Sequence, residues 1–100
     1  MPGTSSPSFF VRTTPHFERL LRHLARQHRD LASIFAEVLA ILRSDPYNRS
    51  RKHAIKKLEG VPAGEGAYRL RLGRFRFRYD IRNQEVVLHY CGLRREDTYR

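Results

Sequence analysis

The chain has 100 residues, too few for two hydrophobic cores, so we expect a single domain built from two packed layers. Twenty Lys and Arg residues against ten Asp and Glu residues give a formal net charge of +10, which predicts a nucleic acid or an acidic protein as partner. The lone Cys91 excludes an internal disulfide, and no apolar run of about 18 residues is present. These features predict a cytoplasmic protein with no membrane span.

The first half of the chain predicts a leader, a short strand and a helical hairpin. Residues 1–8, rich in Pro and Ser, predict a flexible leader before a single domain over residues 9–100. Residues 9–12 predict a strand, and Thr14 before Pro15 predicts the cap of a helix over residues 15–28. Asp30 is expected to cap a second helix, which ends before Asp45 and Pro46. The apolar residues of both helices recur at helical spacing.

The second half predicts a meander of antiparallel strands. Residues 47–59 read as a basic connector, partly helical, and the glycines of residues 60–66 indicate a loop. Residues 68–72 and 75–81 then alternate strictly between apolar and charged, and a turn at Asn83 precedes a third strand over residues 86–90. With residues 9–12 as a fourth strand, we expect an α+β fold: a small antiparallel sheet of about four strands, with the helical hairpin packed on one face.

Alternation along these strands separates an aromatic face from a row of arginines. Phe75, Phe77 and Tyr79 are expected to face the core, while the opposite face carries Arg69, Arg71, Arg74, Arg76, Arg78 and Asp80. A solvated outer face neutralised by acids is the ordinary explanation for such a row. Acids are too few in this segment for that, so we favour a site for RNA phosphate or an acidic partner, because guanidinium groups match phosphate oxygens.

The histidines and the cysteine do not predict a metal or cofactor site. Three of the five histidines follow one another along the first helix, and the other two are distant in sequence. His89 lies on the last strand beside the arginines, where it can titrate near neutral pH or be half-buried. Cys91 is interpreted as a small buried residue rather than a nucleophile, because no partner base or motif surrounds it.

The run Lys56-Lys57-Leu58, the sequence YRLRLGRFRFRYDI and the closing CGLRREDTYR resemble the RelE/ParE family of type II toxins. The resemblance extends over nearly all of residues 9–100 and implies a compact, microbial RNase-like sheet. Arg76 stands where gyrase-directed ParE members tend to carry an apolar residue, so the RelE-like branch is favoured. That branch cuts messenger RNA in the ribosomal A site without a metal, by attack of the ribose 2′-hydroxyl on the adjacent phosphate, and is neutralised by a cognate antitoxin.

The resemblance also implies which residues form the site. The positions matching the family's catalytic residues are Arg69, Arg71, Arg76, Arg94 and Tyr99. We expect the surrounding RNA-binding residues to be Lys56, Lys57, Arg74, Arg78 and His89.

This sequence departs from familiar members at positions that bear on proton transfer. Arg69 and Arg71 stand where the best-known branch has lysines, and Leu93 stands where many relatives have a histidine. Arginine stays protonated in proteins and is a poor base, so Tyr99 becomes the leading candidate for moving a proton, with Lys56 or His89 assisting. Two other functions stay open: a ParE-like inhibitor of DNA gyrase, and a degenerate member that only binds RNA or its antitoxin.

Overall fold

The computed structural model describes residues 8–94, so Tyr99 and nearly all of the expected leader lie outside the described residues. Within that range, two helices lie on one face of a five-stranded sheet. The elements are β1 (Phe10–Thr13), α1 (Pro15–Gln27), α2 (Leu31–Ser44), β2 (Ala54–Lys57), β3 (Tyr68–Leu72), β4 (Phe75–Arg82) and β5 (Glu85–Leu93). The expected α+β class and the helical hairpin on one face are confirmed.

The sheet differs from the expected one in strand number and in direction. Its order is β1-β5-β4-β3-β2, and β1 runs parallel to β5 while the other neighbours are antiparallel. The prediction of about four antiparallel strands was therefore wrong, and the connector expected to be partly helical contains β2. Two of the four β2 residues are lysines, so the segment has little strand propensity of its own, and pairing with β3 stabilises it.

The residue before α1 caps its helix, whereas the residue before α2 makes a tertiary contact instead. The Thr14 hydroxyl accepts a hydrogen bond from the backbone N–H of Phe17 at 3.1 Å, as expected for an N-cap. Asp30 precedes α2, but its side chain does not cap the helix, contrary to the prediction. Its backbone already has helical dihedral angles, and its carboxylate binds Arg74 instead. No helix within residues 8–94 is long and apolar enough to cross a membrane.

The hydrophobic core lies between the two helices and one face of the sheet. Phe75, Phe77 and Tyr79 of β4 are fully buried there, which confirms the strand phase expected from alternation. The buried Tyr79 hydroxyl donates to the carbonyl oxygen of Pro46 at 2.7 Å, tying the end of α2 to the centre of the sheet. The other buried members of the core cluster are Phe17, Leu24, Leu31, Val38, Leu42, Leu70, Val86, Leu88 and Cys91.

A β-bulge at His89 reverses the alternation of β5. Tyr79 pairs with Leu88 and Arg78 pairs with Tyr90, so His89 is an extra residue with no β4 residue directly opposite it in the strand register. Leu88 and Cys91 therefore both face the core although three positions separate them. Tyr90 is turned to the opposite face of the sheet. Burial raises the pKa of the Cys91 thiol to about 12, which agrees with a packing residue rather than a nucleophile.

Candidate nucleic-acid interface

Four arginines of the neighbouring strands β3 and β4 stand in two cross-strand pairs on the sheet face opposite the helices, and we call this face the arginine face. Arg71 stands directly opposite Arg76, and Arg69 stands directly opposite Arg78. Residues so paired have Cβ atoms about 5 Å apart, so the four side chains start from one compact patch. Like charges at this spacing repel, and an anion bound between them would relieve that repulsion.

Two further site candidates border this patch. Lys56 of β2 stands directly opposite Arg69, and the Arg94 backbone N–H donates to the carbonyl of Arg74 at 3.0 Å, beside the β3–β4 turn. The side chains of Lys56 and Arg71 form no hydrogen bond or ion pair with other residues between 8 and 94. Their charges are therefore available to a ligand. The structure brings together Arg69, Arg71, Arg76 and Lys56, with Arg94 at the edge.

Two of the expected RNA-binding residues lie elsewhere. Lys57 pairs with Tyr68, so it faces the helix side of the sheet, and its ammonium nitrogen lies 5.8 Å from the centre of the Tyr68 ring. The Arg74 guanidinium donates to the carboxylate of Asp30 at 2.9 Å, at the junction between the helices. Strand alternation does not predict this, because Arg74 lies in a turn and its partner comes from a distant part of the chain.

Arg78 belongs to the arginine face but holds a loop. Its Nε donates to the carbonyl of Gly66 at 3.0 Å and its Nη2 donates to the carbonyl of Glu65 at 3.1 Å. Gly66 has a φ of +79°, and a Cβ at this position would come within 3.0 Å of the Arg78 Cβ. The guanidinium of Arg78 therefore fixes the loop of residues 60–66 along the border of the face.

Asp80 and His89 hold the end of the same loop. The Asp80 carboxylate accepts hydrogen bonds from the backbone N–H groups of Gly66 at 2.9 Å and Ala67 at 3.1 Å, and lies 2.9 Å from His89 Nε2. Burial alone raises the pKa of the Asp80 carboxyl, but these backbone hydrogen bonds, one from Gly64 and the charge of His89 lower it below its ordinary value. Asp80 thus remains ionised at neutral pH and anchors the loop rather than neutralising an arginine.

The lowered pKa of Asp80 predicts how folding stability depends on pH. A carboxyl whose folded pKa lies below its unfolded pKa stabilises the fold at neutral pH, and this contribution is lost as pH falls from about 5 through the folded pKa. We expect Asp80→Asn to lower the urea midpoint at pH 7 and to flatten its decline between pH 5 and pH 3. Glu37→Gln removes an exposed carboxyl of α2 and is the matched control. An unchanged pH profile in the Asp80 variant would contradict this role.

Tyr90 also belongs to the arginine face, although regular alternation along β5 does not predict this. The bulge turns it onto the arginine face, and its hydroxyl occupies the space that a side chain at Gly92 would need. Gly92 in turn stands directly opposite Arg76. The phenol therefore lies beside the arginine in the middle of the patch. A glycine within a strand, two residues after a tyrosine, is a signal of such a close approach, but a bulge cannot be placed from one sequence.

The chemistry available on this face is the binding of phosphate and the transfer of a proton from a phenol. Guanidinium and ammonium groups stabilise charge that develops on phosphate oxygens. Within residues 8–94, no group of three or more His, Cys, Asp or Glu side chains is placed to hold a metal ion.

Three solved structures share this fold. The chain matches the archaeal RelE–RelB complex from Pyrococcus horikoshii with 25% identity and a TM-score of 0.65, over 87% of this chain and 96% of that one. It matches the RelBE2 toxin–antitoxin complex from Mycobacterium tuberculosis with 22% identity and a TM-score of 0.64, over 90% and 95%. For the RelB–RelE complex from Methanococcus jannaschii the identity is 19% and the TM-score 0.56, over 88% and 94%.

No family model matches the chain, and no curated protein matches it. The likeness resides in the fold, and it extends over most of each of the compared chains. The chain is RelE-like in structure, which confirms the resemblance noted in its strand motif.

Proposed function

We propose that this RelE-like chain is the toxin of a type II toxin–antitoxin system and cleaves messenger RNA in the ribosomal A site. The observation that carries the proposal is the pairing of Arg71 with Arg76 on the arginine face of a fold shared with toxin–antitoxin complexes. The reaction is an attack of the ribose 2′-hydroxyl on the adjacent phosphate, with no metal. The arginines bind the phosphate and stabilise the charge that gathers on its oxygens.

In this proposal some residues of the arginine face contact the RNA, and others support the site. Arg71, Arg76 and Arg69 contact the scissile phosphate, and Lys56 contacts the RNA backbone at the β2 edge. Arg94, which follows β5, takes part as well, and the family resemblance assigns Tyr99, which lies outside the described residues, to the same site. Arg78 and Asp80 support it by holding the loop that borders the face.

The same face is the proposed docking surface for an antitoxin. Its charge favours an acidic segment, which would cover the arginines and exclude RNA. The three structural neighbours described above are RelE–RelB complexes, and two of them are described as complexes of a toxin with an antitoxin, which supports a partner of this kind. A small acidic protein encoded in an adjacent reading frame is the expected candidate.

Ribosomes programmed with a defined message test the proposal directly. The purified chain is expected to create new RNA ends within the A-site codon, and DNA supercoiling by gyrase is expected to continue unchanged in its presence. The antitoxin should abolish the new ends. An intact message together with inhibited gyrase would identify a ParE-like inhibitor instead. An intact message with unaffected gyrase would leave only a binding protein.

A further inference from the structure

We propose that Tyr90 is the general acid of the cleavage reaction and protonates the 5′-oxygen that leaves phosphorus. This inference rests on the proposed function and adds the proton donor that arginines do not supply. It starts from the bulge at His89, which turns Tyr90 onto the arginine face.

The position of the Tyr90 hydroxyl follows from its contact with Gly92 and from the strand residue that stands opposite Gly92. The hydroxyl lies against the backbone of Gly92, where a methyl group would collide with it, and Gly92 stands directly opposite Arg76. A side chain starting at residue 92 would be about 5 Å from the Cβ of Arg76. The phenol therefore lies within reach of a phosphate held between Arg76 and Arg71.

A phenol has the chemistry that this step requires. The 2′-oxygen forms a bond to phosphorus, and its proton passes to water. The bond from phosphorus to the 5′-oxygen breaks, and this oxygen takes the bonding electron pair together with the proton of Tyr90. The products are a 2′,3′-cyclic phosphate and a 5′-hydroxyl, and the phenolate regains a proton from water. Nearby guanidinium groups stabilise the phenolate while it lasts.

The other groups of the face are less suited to this step. Guanidinium groups stay protonated in proteins, so Arg71 and Arg76 are poor proton donors. His89 is held at 2.9 Å from Asp80, on the side of the bulge away from Arg76. Lys56 lies on the edge strand, opposite Arg69 rather than in the row of Arg71 and Arg76. Tyr90 is the described proton donor that adjoins this row.

A message with sulfur in place of the leaving 5′-oxygen separates acid catalysis from other roles. Sulfur leaves without being protonated, so loss of a general acid does not slow its departure. We expect Tyr90→Phe to cut the ordinary ribosome-bound message roughly 100-fold or more slowly than the wild type. The same variant should cut the sulfur-containing message at a rate near that of the wild type.

Two matched variants accompany this measurement. Tyr68→Phe removes a hydroxyl from the helix side of the sheet and should cut both messages like the wild type. Gly92→Ala keeps Tyr90 but adds a methyl group where its hydroxyl lies. The residue at 92 does not need a positive φ, so the backbone tolerates alanine and the ring must move. This variant should therefore show the same selective loss on the ordinary message.

Each outcome has one meaning. If the wild-type chain leaves the ordinary message intact, the proposed function itself is wrong. If the wild type cuts and Tyr90→Phe cuts equally fast, the function stands and the role of Tyr90 is overturned. If Tyr90→Phe is slow on both messages, Tyr90 binds RNA or supports the fold, and it is not the general acid.

Discussion

Replacement of Arg76 by alanine is expected to slow cleavage of ribosome-bound message by roughly 100- to 1000-fold, the usual effect of removing one preorganised group that stabilises charge in a transition state. Arg76 stands in the middle of the patch, between Arg71 on one side and Gly92 with the Tyr90 hydroxyl on the other. Single-turnover cleavage at saturating ribosome concentration measures the effect.

Arg82 provides the control for charge. It lies on the same strand and the same face as Arg76 but is exposed near the β4–β5 turn, and it pairs with Glu85 across the strands. Arg82→Ala removes the same charge from the protein. We expect it to weaken association with the message-bearing ribosome at low salt and to leave the single-turnover cleavage rate unchanged. Equal losses of rate in the two variants would mean that net charge, rather than the Arg71–Arg76 pair, drives the reaction.

Replacement of Phe77 by alanine is expected to give the largest loss of stability, about 3–5 kcal/mol, because it removes a large core side chain and leaves a cavity. Phe77 is fully buried on β4, between Leu70 and Cys91 on the neighbouring strands, and its ring stacks on Phe35 of α2 with centroids 6.3 Å apart. The free energy of unfolding, measured with urea at pH 7, tests this value.

Phe10 is the matched control for this measurement. Its side chain on β1 is 76% exposed, so Phe10→Ala removes the same atoms without opening a cavity. We expect a change within about 0.5 kcal/mol. Similar losses at the two positions would show that β1, at the edge of the sheet, contributes as much as the centre of the core. A small loss at Phe77 would contradict the packing described for β4.

The spacing of the apolar residues, together with the residues typical of turns and helix caps, was enough to predict most of the fold. Both helices, the Thr14 cap and the strict alternation of β3 and β4 could be read from the sequence, because each depends on neighbours close along the chain. β2 and the parallel pairing of β1 could not, since both depend on strands distant in sequence. The same reason accounts for Asp30, whose carboxylate binds Arg74 instead of capping α2.

The candidate site was predictable on β3 and β4 but not on β5. Arg69, Arg71 and Arg76 share a face by alternation, and the strands on which they lie are regular. On β5 the extra residue at His89 shifts the alternation by one position. Alternation counted from Leu88 predicts that Tyr90 faces the core, whereas Tyr90 in fact lies on the arginine face. The roles of Arg74, Arg78 and Lys57 likewise depend on partners that only the folded chain brings near.

The strand order has a consequence for synthesis. Of the described strands, β5 is translated last, yet it occupies the inside of the sheet between β1 and β4. β1 begins at residue 10 and finds its neighbour only at residue 85, so nearly the whole of the described chain must be made before this contact can close. Until β5 has been translated, β4 lacks one of its two neighbouring strands and Tyr90 has not been added to the chain. A nascent chain therefore lacks the proposed site until β5, the last described strand, has emerged from the ribosome.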